Sequence, residues 1–237
     1  MKKYFGIFLA AMLMVGAAGP AMAGIAATNL LRIVYDTSDS GTVEIGSDLG
    51  SAPTLTAGAI TTNPFSVSSA DLDHYSVVYL AFSASANQLW FTATSLPTVN
   101  PLVWVSTKSA TNSTMYNFAA GTTTVGLKSA NNSYWNKMDL GGVFGAVGSL
   151  NTFIPQPSNN VYGVEANLAA LATGGYVDQT LYFYQNGLGL SDTGFTLRTL
   201  ADGTTQVLAA SAVPIPPSVL LLGSGLLGMI GIRRKIA

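Results

Sequence analysis

His74 is the one histidine in the chain, and it follows two acids in Asp71-Leu-Asp-His74. A Ser–His–Asp relay would have to pass through it, because imidazole is the side chain that exchanges a proton near neutral pH. Asp71 and Asp73 share one face if the segment is a strand. No Gly-x-Ser-x-Gly turn is present to raise a serine nucleophile. The blander reading, a polar strand entry beside a turn, is therefore preferred, and no catalytic residue is assigned.

A second oxygen-rich stretch, Asp36-Thr-Ser-Asp-Ser-Gly41, has the flavour of a calcium loop. Its twelfth position is Ser47 where a bidentate acid is needed, and Ser38 and Ser40 are weak ligands. A plain turn is the better reading, and no metal or cofactor is expected. Tyr182 and Tyr184 fall on one strand face, and Tyr134-Trp135 lies in a polar stretch. Such rings stack on sugars when exposed, but on strands they more often pack in cores. Asn112-Ser-Thr114 and Asn131-Asn-Ser133 match the short glycosylation pattern, which chance also produces. The chain has no cysteine, which excludes disulfides, thiol catalysis and attachment of a lipid through an N-terminal cysteine.

The elements that must position these residues read mainly as strands. Asn29–Tyr35 is apolar and β-branched, and 42–45 resumes after the turn-rich stretch, as in a hairpin. Tyr75–Ser83 is apolar on both faces, as in a strand covered on both sides. Further strands are expected at 88–94, 102–106, 122–127, 176–184, 194–198 and 204–209. Asp202-Gly203 marks a tight turn between the last two. Segments 46–62 and 141–158 read as loop, the first with an edge strand. Residues 164–172 are Ala/Leu-rich and favour a short helix closed by Gly174-Gly175. Short strands at this spacing fit an antiparallel sandwich or barrel, and the expectation is an all-β body, an antiparallel jelly-roll-like β-sandwich.

The two ends are of a different kind. Lys2-Lys3, an apolar core and Ala21-Met-Ala23 make a signal peptide over residues 1–23, cut after Ala23 and handled by Sec-type export machinery. At the other end, Val213-Pro214-Ile215-Pro216-Pro217 cannot be helical, because proline fixes φ and lacks an N–H. It gives a stiff, extended strip that a peptidase cleft could take. Fifteen residues without charge follow, Ser218–Ile232, and then Arg233-Arg234-Lys235. A membrane crossing needs about 20 apolar residues, so this is a short span, expected to form a single transmembrane helix with its basic end cytoplasmic. Its glycines offer a close-packing surface to another membrane helix. It lacks the polar face of an ordinary buried helix.

Pro-x-Pro, a Leu/Gly-rich helix and an Arg-Arg-Lys stop resemble the PEP-CTERM sorting signal of Gram-negative bacteria. Val213, Pro214 and Pro216 match its core, and Ile215 stands where the family usually has glutamate. The resemblance covers 213–237, about a tenth of the chain. It implies that a membrane peptidase of the exosortase type removes the tail at the inner membrane. The rest then goes to the cell surface or the extracellular matrix, as in biofilm.

What remains, 24–212, is one body. It holds all 11 acids against Arg32, Lys108, Lys128, Lys137 and Arg198, a net charge of −6. An acidic body argues against nucleic acid as a partner, and none is expected. The preferred expectation is a non-enzymatic protein of the surface or exopolysaccharide matrix. The alternatives are a membrane-anchored carbohydrate-binding module with polysaccharide as its partner and, least favoured, a secreted hydrolase.

Overall fold

The computed structural model describes residues 26–38, 42–61, 63–115, 118, 120–130, 133–137 and 165–209. Ten strands are described: β1 (Asn29–Asp36), β2 (Val43–Ser51), β3 (Ile60–Thr61), β4 (Tyr75–Ser83), β5 (Gln88–Ala93), β6 (Thr123–Leu127), β7 (Ala166–Asn167), β8 (Tyr176–Gln185), β9 (Gly189–Leu200) and β10 (Thr205–Ala209). Every pairing among them is antiparallel, in the order β3-β10-β9-β8-β5-β4-β1-β2-β6, with β7 on β4. Three helices accompany them: α1 (Trp104–Met115), α2 (Tyr134–Lys137) and α3 (Ala170–Gly174).

Strand β4 is buried on both faces from Ser76 to Ser83, as its sequence predicts. The two faces feed two separate cores. Val78, Leu80 and Phe82 join Leu31, Ile33, Leu89 and Phe91 on one side, where Trp104 and Met115 of α1 and Tyr134 of α2 close over them. Val77, Tyr79 and Ala81 join Leu30, Val34, Leu181, Leu197 and Val207 on the other. Each large apolar side chain among these, once buried, contributes about 1.5–3 kcal/mol. The two-sided strands therefore carry much of the stability that a chain without disulfides needs.

The sheet is strongly curled. Between β1 and β10 lie four other strands. At about 4.8 Å per strand a flat sheet would hold them roughly 24 Å apart. Yet Arg32 of β1 donates to Thr205 Oγ1 of β10 at 2.8 Å. Likewise the Tyr79 hydroxyl of β4 lies 2.6 Å from Thr199 Oγ1 of β9. The second core is thus the inside of a sheet folded over on itself, and the described strands all belong to that one antiparallel sheet.

Residues 102–106, read as a strand, instead form the 3₁₀ turn Pro101–Val103 and the start of α1. The helix is anchored by tertiary contacts: Trp104, Thr107, Thr111, Thr114 and Met115 are buried at helical spacing. Asn100 accepts the Leu102 N–H at 3.2 Å just ahead of Pro101. Segment 46–62 holds more strand than expected, since β2 runs on to Ser51, while β3 is the anticipated edge strand. The Ala/Leu-rich stretch divides into β7 and α3, and α3 ends at Gly175 in the left-handed region, φ 74°. The loop expected at 141–158 lies outside the described residues.

Candidate functional site

The residues singled out for chemistry are dispersed. His74 sits on an exposed 3₁₀ turn, Leu72–His74, with Nε2 3.7 Å from Asp73. Asp71 and Asp73 therefore share no strand face, which corrects the expectation. At the acidic turn Asp36 Oδ1 accepts the Ser38 N–H at 2.7 Å, and Lys128 Nζ donates to the carbonyls of Asp36 and Ser38 at 2.6 and 2.8 Å. The carbonyl at the seventh position of that loop, Thr42, accepts the Lys128 N–H at 2.9 Å. Among the described residues no three acids or histidines converge on a metal position.

The aromatic sugar platform is overturned. Tyr134, Tyr182 and Tyr184 are buried in the first core. Trp135 is half-buried, its ring packed on Tyr35 and covered by Lys128 Nζ at 3.7 Å from the centroid. Of the glycosylation patterns, Asn112–Thr114 lies inside α1 with Thr114 buried, and Ser133 is buried and donates to the Lys128 carbonyl at 2.6 Å. The sorting residues Val213, Pro214 and Pro216, the basic stop Arg233, Arg234 and Lys235, and the cleavage residues Ala21 and Ala23 lie outside the described residues. So does the apolar stretch expected to cross the membrane. Among the described residues no helix is long and apolar enough to span one.

What the fold does assemble is a polar seam where the curled sheet meets itself. Arg32, wholly buried, donates to Gly203 O and Thr205 Oγ1 at 2.8 Å, to Ser47 Oγ at 3.0 Å and to Asn63 O. Its carbon Cζ lies 4.8 Å from the centre of the Phe65 ring. Burial pushes its pKa down, with partial compensation from Tyr79 and Asp202. Among the described residues the guanidinium is therefore held by neutral oxygens and a ring face, and its Nε has no partner. Residues 63–65 cross this end as a strap: Phe65 N–H donates to Gly203 O at 3.1 Å, Thr123 Oγ1 to Pro64 O at 3.3 Å, and Asn63 Nδ2 to Asp48 O at 2.5 Å.

Beside the strap opens a cleft of about 550 Å³. A second buried group organises its wall. The Asp48 carboxylate accepts from Asn29 Nδ2 at 3.1 Å on both oxygens, from Gly50 N–H at 3.0 Å and from Gly121 N–H at 2.7 Å. Asp48 is only 4% exposed. Around it the cleft is lined by Asn29, Asn63, Thr54, Thr56, Ile60 and Leu55, among others. Sequence reasoning missed this site. Asn29, Asp48 and Asn63 are spread over 35 positions in segments of ordinary polar composition, and only the pairing of β1 with β2 brings the first two together. No family model matches the chain, and neither a curated protein nor a solved structure matches it.

Proposed function

We propose that this is an exported, non-enzymatic protein of the cell surface or extracellular matrix, delivered by two removable end segments. The signal peptide takes the chain across the inner membrane. The apolar stretch 218–232 then halts it there, with Arg233, Arg234 and Lys235 held on the cytoplasmic side by their charge. Val213, Pro214 and Pro216 offer an exosortase-like peptidase an extended strip, and cleavage releases the body. In this reading the body is a jelly-roll-like sandwich in which one sheet folded over itself supplies both layers.

The observation that supports the reading is where the body lies. Every described strand falls between Ala23 and Val213, from Asn29 to Ala209. Near the two ends of that range, β1 and β10 are tied to each other by the Arg32–Thr205 hydrogen bond, so the described body closes on itself between the two proposed cuts.

The test is processing in cells. Pro214→Ala with Pro216→Ala should leave the protein uncut in the inner membrane, and so should a triple Arg233→Gln, Arg234→Gln, Lys235→Gln variant. Variants that still appear outside the cell in the same trimmed form as the parent would refute the proposal.

A further inference from the structure

We propose that the cleft beside the strap binds a neutral, hydroxyl-rich ligand, a short stretch of uncharged polysaccharide. The inference stands on the cleft alone and does not depend on how the protein is delivered.

Several hydrogen-bonding groups of the cleft wall are left over by the fold. Asn29 Nδ2 makes a forked contact to both Asp48 carboxylate oxygens at 3.1 Å, and one Asn63 N–H goes to the Asp48 carbonyl, so each amide keeps a second N–H. An amide held by its nitrogen keeps its oxygen on the other side of the group, and among the described residues nothing donates to either Oδ1. The Thr54 hydroxyl donates to Ser51 O at 3.2 Å and the Thr56 hydroxyl to Thr54 O at 3.5 Å, which leaves their lone pairs as acceptors. Thr61 Oγ1 donates to Thr205 O and accepts the Thr205 N–H. The wall therefore keeps unused acceptors together with unused donors, the second N–H of Asn29 and of Asn63. It suits a ligand whose groups both donate and accept, as hydroxyls do.

Charge narrows the class. No lysine, arginine or histidine lines the cleft among the described residues, so nothing there would offset a uronate, sulfate or phosphate, and the body carries a net −6. Arg32 is not part of the cleft wall; its guanidinium is committed to the seam. A cationic ligand fits no better, because the one carboxylate is buried and its oxygens already take four N–H contacts. Leu49, Leu55 and Ile60 supply apolar surface for the C–H face of a sugar ring. Ile60, at 57% exposure, is an open apolar rim. The volume falls within the usual range for small-molecule sites, about 300–1,000 Å³.

The experiment titrates the full chain, held in a detergent without sugar head groups, with short neutral hexose oligosaccharides. Galacturonate oligomers and spermidine serve as charged comparators, and binding is read by calorimetry. Saturable binding of at least one neutral oligosaccharide is expected, with none to the galacturonate or to spermidine. A Thr54→Val, Thr56→Val double variant removes two acceptors at exposed positions and should weaken that binding roughly tenfold or more. Its thermal midpoint should stay at the parent value. Absence of saturable binding to any neutral probe would overturn the proposal. So would binding that ignores the double variant, or preferential binding of either charged probe.

Discussion

Arg32 and Thr205 are 173 positions apart in the chain and are joined by a 2.8 Å hydrogen bond inside the protein. That bond ties the two flanks of one continuous sheet. Tyr79 reinforces it from between them, its hydroxyl 2.9 Å from Thr205 Oγ1 and 2.6 Å from Thr199 Oγ1. The closure of the body rests on a polar cluster rather than on apolar contacts alone, and it has no disulfide to back it up. Its energetics can be tested residue by residue.

Arg32→Ala should cost about 4 kcal/mol in denaturant unfolding. It strands the Asn63 carbonyl, takes one of two donors from the Gly203 carbonyl and leaves a void, and each buried group without a partner costs about 1–3 kcal/mol. Arg32→Lys should recover only part of the loss, since one ammonium cannot span acceptors on three different segments. A loss below about 1 kcal/mol for the alanine variant would show that the seam does not hold the sheet closed.

Tyr79 sets the alkaline limit. Burial raises its pKa above the usual 10.0, opposed in part by Arg32 and by the two threonine hydroxyls. A raised folded value means the native state keeps this proton after the unfolded chain has begun to lose it. The contribution is therefore complete below about pH 10 and is lost as pH climbs from there through the folded value. Tyr79→Phe should lower stability near neutral pH by about 1–2 kcal/mol and flatten the fall above about pH 10. A parent and variant that lose stability in parallel at alkaline pH would contradict this.

Gly203 is required twice over. Its φ is 80°, and a Cβ would overlap the Phe65 carbonyl of the strap. Gly203→Ala should destabilise by about 2–4 kcal/mol, combining backbone strain with displacement of the strap. Gly58 supplies the comparison, because it has a similar φ of 85° with open space around it. Gly58→Ala should therefore cost about 1 kcal/mol, the strain without the clash. Equal losses at the two positions would refute the strap's role.

The Asp178–Arg198 pair is a contrast. Two hydrogen bonds of 2.8 Å join the side chains, and Arg198 lies over the Tyr176 ring, yet both groups are partly exposed. Asp178→Asn should cost less than about 1 kcal/mol, and the difference should shrink in high salt. A loss comparable to that of Arg32→Ala would contradict the ranking.

Tyr75–Ser83 was legible because both its faces are apolar. Segment 176–184 was legible from its aromatic and β-branched residues, and Asp202-Gly203 announced its turn. Helix α1 was not legible, because Trp104–Met115 is rich in Thr, Ser and Asn, which are indifferent helix formers. Its signals were the Asn100-Pro101 start and the 104, 107, 111, 115 spacing of buried residues. The seam was hidden for another reason. Arg32 reads as one polar residue in an apolar run, and nothing local reveals that it faces Thr205 across a closed sheet. The buried aromatics show the converse: Tyr182 and Tyr184 alternate as a sugar platform would, and which side the core lies on depends on strands far away in the chain.

The most direct test of the whole account is the intact mass of the protein recovered from the cell surface or matrix. The account predicts a trimmed species that begins at Gly24 and lacks Arg233–Ala237, its end lying near Val213–Pro217. Full-length protein in the cytosol, or a membrane-bound form that keeps Arg233–Ala237 as its only product, would contradict it.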